Sequence, residues 1–120
     1  MTTHEKVMKA LGGLLIDELT AQHQYGLHAE KCNRWGYNKL AQAIMDRSAK
    51  EREHAHELME HILLLDGEPY VGTIKPLSIG SDVKSILEND LKLEESARSA
   101  YNAAIGVACE AGDEGSAEVM

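Results

Sequence analysis

Three stretches of this chain repeat apolar residues at alternating steps of four and three, and each line is interrupted near its middle by ionisable groups. The first line runs Val7, Leu11, Leu14, Glu18, Ala21, Tyr25, His28, Cys32. The second runs Leu40, Ile44, Arg47, Glu51, His54, Leu58, His61, Leu65, and the third Val83, Leu87, Asp90, Glu94, Ala97, Tyr101, Ala104, Ala108. Such spacing places each set on one face of an α-helix, as in bundles whose seams pack together. Glu51 and His54 are three residues apart, so their side chains share that face. Charged groups on a buried seam are costly unless they find a partner.

The chain between these lines supplies the punctuation. Thr2 and Glu5 fit a capping box, and the first helical pattern runs to about Trp35, stopping at Gly36. The link Gly36-Tyr37-Asn38 is so short that the first two helices must be antiparallel neighbours. A second helix covers roughly Lys39 to Asp66 and is stopped by Gly67 and Pro69. Tyr70 to Gly80, with Gly72 and Pro76, is too irregular for a helix. It is long enough to carry the chain across the bundle, so that the third helix runs parallel to the second. Ser81-Asp82 starts that helix, which continues to about Glu110; Gly112 to Gly115 make a turn, and Ser116 to Met120 begin a fourth. Gly12, Gly13 and Gly26 lie inside the first helix, where glycine costs about 1 kcal/mol relative to alanine, and close helix packing is the expected reason. No strand signal is present. The expectation is one all-α domain over residues 1–120, an up-down helical bundle with a long crossover between helices two and three.

Composition narrows the partners. With 120 residues and 43% hydrophobic content the chain can bury a core. A formal charge of −8 argues against nucleic acid or an anionic membrane as the main partner. No run approaches the roughly 18 apolar residues of a membrane span, and no basic and apolar leader is visible. Cys32 and Cys109 form no CxxC pair and read as free thiols in a reducing cytoplasm. A soluble cytoplasmic protein is expected.

Glu18, Glu51 and Glu94 lie about 15, 12 and 12 residues into helices of roughly 30, which brings them to one level in an aligned bundle. Any single one of them could reach water or pair with Arg47 or Arg98. Three inward carboxylates and His54 at one height would repel one another strongly without a cation. Glu-x-x-His on a helix is the pair used by di-iron carboxylate bundles. Mixed carboxylate and imidazole ligation suits iron or manganese, with zinc as a non-native occupant.

At these residues the chain resembles the bacterioferritins over essentially its whole length. The resembling segments are Glu18-Leu19-Thr20-Ala21-Gln22, Gln24-Tyr25, Leu27-His28-Ala29, and Asn33-Arg34-Trp35-Gly36-Tyr37. They continue with Glu51-x-x-His54-Ala55, Ile62-Leu63-x-Leu65-x-Gly67-x-Pro69, and Asp90-Leu91-x-Leu93-Glu94. The resemblance implies a ferritin-like bundle with a ferroxidase centre. Glu18 and His54 would be terminal ligands of one iron, Glu51 a bridge between two irons, and Glu94 a terminal ligand of the second. Tyr25 would stand beside the centre as a hydrogen-bonding or redox-active group. The implied activity is oxidation of Fe(II) by oxygen or peroxide for iron storage and detoxification. The implied assembly is a homo-oligomer of two-fold dimers within hollow shells of about 24 subunits.

Two features depart from that pattern. The family's fourth helix brings a second bridging Glu and a second His, which would lie about seven and ten residues beyond Met120. The expectation is a longer protein, or another subunit completing the bundle, because three helices alone would leave wide apolar faces wet. The second departure concerns haem, which the family binds between two subunits through a Met at the position held here by Arg52. Arginine is a poor iron ligand, so Arg52, Met45 and Met59, with His23 and His56 nearby, read first as a dimer contact with gap-filling methionines and only second as a rewired porphyrin site. The enzyme reading therefore has a rival, a non-catalytic shell subunit that holds metal or haem at an incomplete site. A rubrerythrin-like peroxidase would need rubredoxin-type CxxC pairs, which the chain lacks.

Overall fold

A computed structural model describes residues 1–120. Four helices follow along the chain: α1, Thr3–Arg34; α2, Asn38–Leu64; α3, Val83–Glu110; and the short α4, Glu114–Val119. They lie side by side in a rod of 50 × 22 × 22 Å. The capping box at α1 forms, with Glu5 N–H donating to Thr2 Oγ1 and Thr2 N–H to Glu5 Oε2, both at 3.1 Å. Asp82 caps α3 in the same way, accepting from Ser85 N–H at 2.8 Å while its own N–H donates to Ser85 Oγ at 3.1 Å. Gly36 ends α1 in the left-handed region, at φ 89°. At the end of α2 that conformation falls to Asp66, φ 61°, and not to Gly67. Aspartate tolerates it through its short polar side chain, and Gly67 N–H then closes the turn on the Ile62 carbonyl at 2.9 Å.

The central element is α1. Every residue of its expected seam is buried, because α1 has a neighbour on two sides. Val7, Leu11, Leu14 and Leu15 pack with Ala55, Leu58 and Ile62 at one end of the rod. Ala21, Tyr25, Ala29 and Cys32 pack with Ala41 and Ile44 at the other. This order makes α1 and α2 antiparallel. At Gly26 an added Cβ would sit 3.6 Å from Ser48 Oγ, an ordinary contact, so close packing does not require glycine there; that hydroxyl donates to the Gln22 carbonyl at 2.8 Å. Gly12 and Gly13 face open space, contrary to the expectation that all three glycines serve close packing.

The third seam is only half buried. Asp90 and Ala104 are covered by α1, as is Ile86, which lies off the expected line, and Ala108 is buried as well. Leu87, on that line, is 47% exposed. The reason is that α3 leans on α1, while between α2 and α3 a groove remains, lined by Leu40, Ala43, Ile44, Leu87 and Leu91. Periodicity marks the apolar line of a helix but not whether a neighbour is present to cover it. The start of α2 faces the start of α3 across this groove, so the two run parallel, as the long crossover requires.

That crossover is held along its length by a second, polar stripe of α1. Thr20 Oγ1 accepts from Lys75 N–H, Gln24 Oε1 from Ser78 N–H and His28 Nε2 from Gly80 N–H, each at 3.0 Å. Lys31 Nζ donates to the Gly80 carbonyl at 2.7 Å. Spacings of four, four and three put all four side chains on one helical face, where they satisfy backbone groups that an irregular segment would otherwise bury unpaired. Gly80 is needed here for space, since a Cβ would lie 2.4 Å from Ile86 N.

Candidate metal centre

Midway along the rod, α1 and α2 bring Glu18, Glu51 and His54 together, with one ligand atom from each lying within 4.8 Å of the others. His54 Nδ1 stands 3.6 Å from Glu18 Oε2 and 3.4 Å from Glu51 Oε2. Both carboxylates are buried, at 3% and 8% exposure, while His54 is half-buried. The three line a cavity of about 600 Å³ that also touches Asp17, Tyr25, Arg47, Glu94, Tyr101, Val119 and Met120.

The electrostatics are those of a site short of positive charge. Burial, then the neighbouring Glu51, pushes the Glu18 carboxyl up to about 8. With both carboxylates ionised, neither has a proton to offer and Glu18 Oε2 is a buried acceptor without a partner. One proton held by Glu18 and shared towards Glu51 relieves this. A divalent cation would relieve it better, because it also satisfies His54, and this orphaned oxygen is the local observation that the residues fit a metal.

One hydrogen bond works the other way. Tyr101 O–H donates to Glu18 Oε1 at 2.7 Å and favours the ionised carboxylate. Burial and that carboxylate raise the phenol well above its usual range, so it remains a donor. Tyr101→Phe should therefore raise the Glu18 carboxyl further and shift the pH midpoint of Co(II) binding upward by roughly one unit, read by Co(II) absorbance against pH. An unmoved midpoint would deny Tyr101 this role.

The residues named from the sequence divide into three groups. Glu18, Glu51 and His54 meet. Glu94 lines the same cavity but stands apart from the cluster, its Oε1 accepting from Arg47 Nη2 at 2.8 Å. Tyr25 is buried beside the cavity, and burial together with the charges of Glu94 and Glu51 raises its phenol strongly. The hydrogen bond to the carboxylates, though, comes from Tyr101. Arg52, Met45 and Met59 do not line this cavity. Met59 and Met45 rest against the two apolar cores, and Arg52 is exposed, as are His23 and His56.

Tyr101 carried a signal that the seams alone did not use. Glu18 and Tyr25 are seven residues apart, and so are Glu94 and Tyr101. On antiparallel helices this repeat sets Glu18 opposite Tyr101 and Glu94 opposite Tyr25. A second polar cluster was also missed. His28 Nε2 accepts from Gly80 N–H, so Nδ1 holds the proton and donates to Asp90 Oδ1 at 2.8 Å, where Gln24 Nε2 also donates at 3.0 Å. His61, for which the sequence suggested no role, meets Ser116 Oγ at 2.8 Å, and Ser116 O–H donates to Asp113 Oδ2, tying α2 to the start of α4.

A bundle of long helices with a carboxylate and imidazole cluster between them is the architecture of the ferritin-like proteins, and a ferritin-like domain matches residues 8–120, so the chain belongs to that family. Within it, the similar proteins are bacterioferritins. The bacterioferritin of Brucella melitensis is 39% identical over 113 residues, covering 94% of this chain and 70% of the relative. The bacterial ferritin of Pseudomonas aeruginosa is 38% identical over 112 residues, covering 92% and 70%. Among solved structures, Rhodobacter capsulatus bacterioferritin, described with a metal-free dinuclear site and haem iron, superposes with a TM-score of 0.94 at 35% identity, covering 96% of this chain and 72% of that one. No helix of the chain is long and apolar enough to cross a membrane.

Proposed function

We propose that this chain is a cytoplasmic iron-storage subunit that binds Fe(II) at Glu18, Glu51 and His54 and promotes its oxidation by oxygen or peroxide. The observation that carries this reading is the buried pair Glu18 and Glu51, with an acceptor left unpartnered beside His54, in a bundle shared with bacterioferritins. Fe(II) is the substrate, giving up one electron to the oxidant. The residues bind and orient it. Glu18 releases a proton as the cation arrives, and Tyr101 steadies the resulting carboxylate. Assembly into two-fold dimers and a shell of about 24 subunits would enclose the ferric product as mineral.

The rival reading, a shell subunit that holds metal without cycling two irons, is favoured by one observation: Glu94 is bound to Arg47 and away from the cluster. Oxygen consumption on adding Fe(II) decides between them. A rapid phase of oxygen consumption supports the oxidase, and metal uptake without rapid oxygen consumption supports the rival. Haem between subunits is not part of our reading, because the guanidinium of Arg52, at the position expected for the ligand, offers iron no lone pair.

The raised Glu18 carboxyl gives a separate prediction. Below about pH 8 the metal must displace its proton, so affinity for Co(II) should rise about tenfold per pH unit up to that value and level off above it. Calorimetry at pH 7 in buffers of different ionisation enthalpy should show close to one proton released per cation. Affinity independent of pH between 6 and 8 would remove Glu18 from the site.

A further inference from the structure

Five carboxylates line the cavity, and the chain's own cations already hold two of them, Lys75 on Asp17 and Arg47 on Glu94. Arg47 stands one turn before Glu51 on α2 and reaches across to α3, placing Nη2 2.8 Å from Glu94 Oε1 and 3.8 Å from Glu51 Oε1. We propose that Arg47 is the built-in cation of the second half of the site, holding Glu94 away from the cluster and limiting the chain to one tightly bound divalent cation. The inference rests on the reading of Glu18, Glu51 and His54 as a metal centre.

Two further observations support it. The seven-residue repeat sets Glu94 opposite Tyr25 just as it sets Glu18 opposite Tyr101. The Tyr101 bond is made, whereas Tyr25 makes none to Glu94, whose carboxylate is turned to Arg47. Charge gives the second argument. The Arg47 guanidinium already neutralises Glu94, and a second divalent cation at that carboxylate would stand beside it and be repelled. Arg98 cannot play this part, since it is exposed and does not line the cavity. The guanidinium also differs from a bound metal in consequence: it is fixed to α2 and neutralises Glu94 without presenting any open coordination position.

The test is anaerobic titration of the full chain with Co(II), followed by native mass spectrometry and Co(II) absorbance, so that no turnover is required. Wild type and Arg47→Lys should each take up about one Co(II) per chain, because lysine keeps the charge. Arg47→Gln should bind a second ion at least about tenfold more tightly than wild type does. The Arg47 side chain is half exposed, so the variants keep their helices, which circular dichroism checks. Two ions of similar affinity in wild type, or an unchanged stoichiometry in Arg47→Gln, would overturn the role of Arg47 while leaving the metal centre standing. No Co(II) uptake in wild type would overturn both.

Discussion

Glu51→Ala is expected to abolish the rapid phase of Fe(II) oxidation, lowering the initial rate at least about 100-fold, while the helices remain folded. Glu51 is the residue at the junction of the site: His54 Nδ1 lies 3.4 Å from it, Arg47 3.8 Å, and its charge is what couples to Glu18. Removing it deletes a ligand and the like charge that burial makes costly, so activity and stability should move in opposite directions. The sign follows from linkage. The folded-state Glu18 carboxyl, raised to about 8 from an ordinary value of 4.5, holds its proton more tightly than the unfolded chain does. Its contribution to metal-free stability is fully present below about pH 4.5 and is lost as pH rises through about 8, on the order of 5 kcal/mol in all. Glu51→Ala should flatten that decline, and metal should restore stability to the wild-type protein at pH 8. Thermal melts across pH 5 to 8, with and without Co(II), measure this directly. Unchanged Fe(II) oxidation in the variant would sink the assignment of the centre.

Asp90→Ala should be the most damaging change away from the centre, costing roughly 3–5 kcal/mol and lowering Tm by about 10 °C or more. Asp90 is the common acceptor for His28 Nδ1–H and Gln24 Nε2–H, and both donors are almost wholly buried. Without it they are stranded in a site that water does not reach. The damage should spread, because the other ends of the same side chains hold Ser78 and Gly80 of the crossover. Asp90→Asn retains an acceptor oxygen and should recover more than half of the loss. Equal destabilisation by alanine and asparagine would mean that the shape of the side chain, not its hydrogen bonding, is what matters there.

The register of the cluster was legible from arithmetic on the chain. Glu18 and Glu51 sit near the middle of helices of similar length joined by a tight turn, so an antiparallel pair has to bring them level, and His54 follows one turn after Glu51. The same arithmetic put Glu94 at that level, and it is there, but level is not contact. Its side chain had a choice between the cluster and Arg47, and the choice depends on how far α3 stands from α2, a distance that no spacing within one helix encodes. Leu87 illustrates the same limit, being on the apolar line of α3 and yet exposed because the groove beside it is open.

What the sequence determined by itself is therefore everything that follows from periodicity and punctuation: three long helices, to about residue 35, over about 39–66 and from about 81 to 110, the capping box at Thr2, the antiparallel turn at Gly36, and a carboxylate and imidazole pair aimed into the seam. What only the tertiary structure decided is which polar groups found each other across helices. Thr20, Gln24, His28 and Lys31 read locally as unremarkable polar positions, and became the clamp on the crossover only when Lys75 to Gly80 were laid against them. Tyr101 likewise had no assigned partner, and Arg47 had three candidate carboxylates, until three helices set their separations. Hydrophobic spacing is a property of one helix and survives in any context, whereas a hydrogen bond or ion pair between helices depends on ångström-scale distances that exist only in the folded chain.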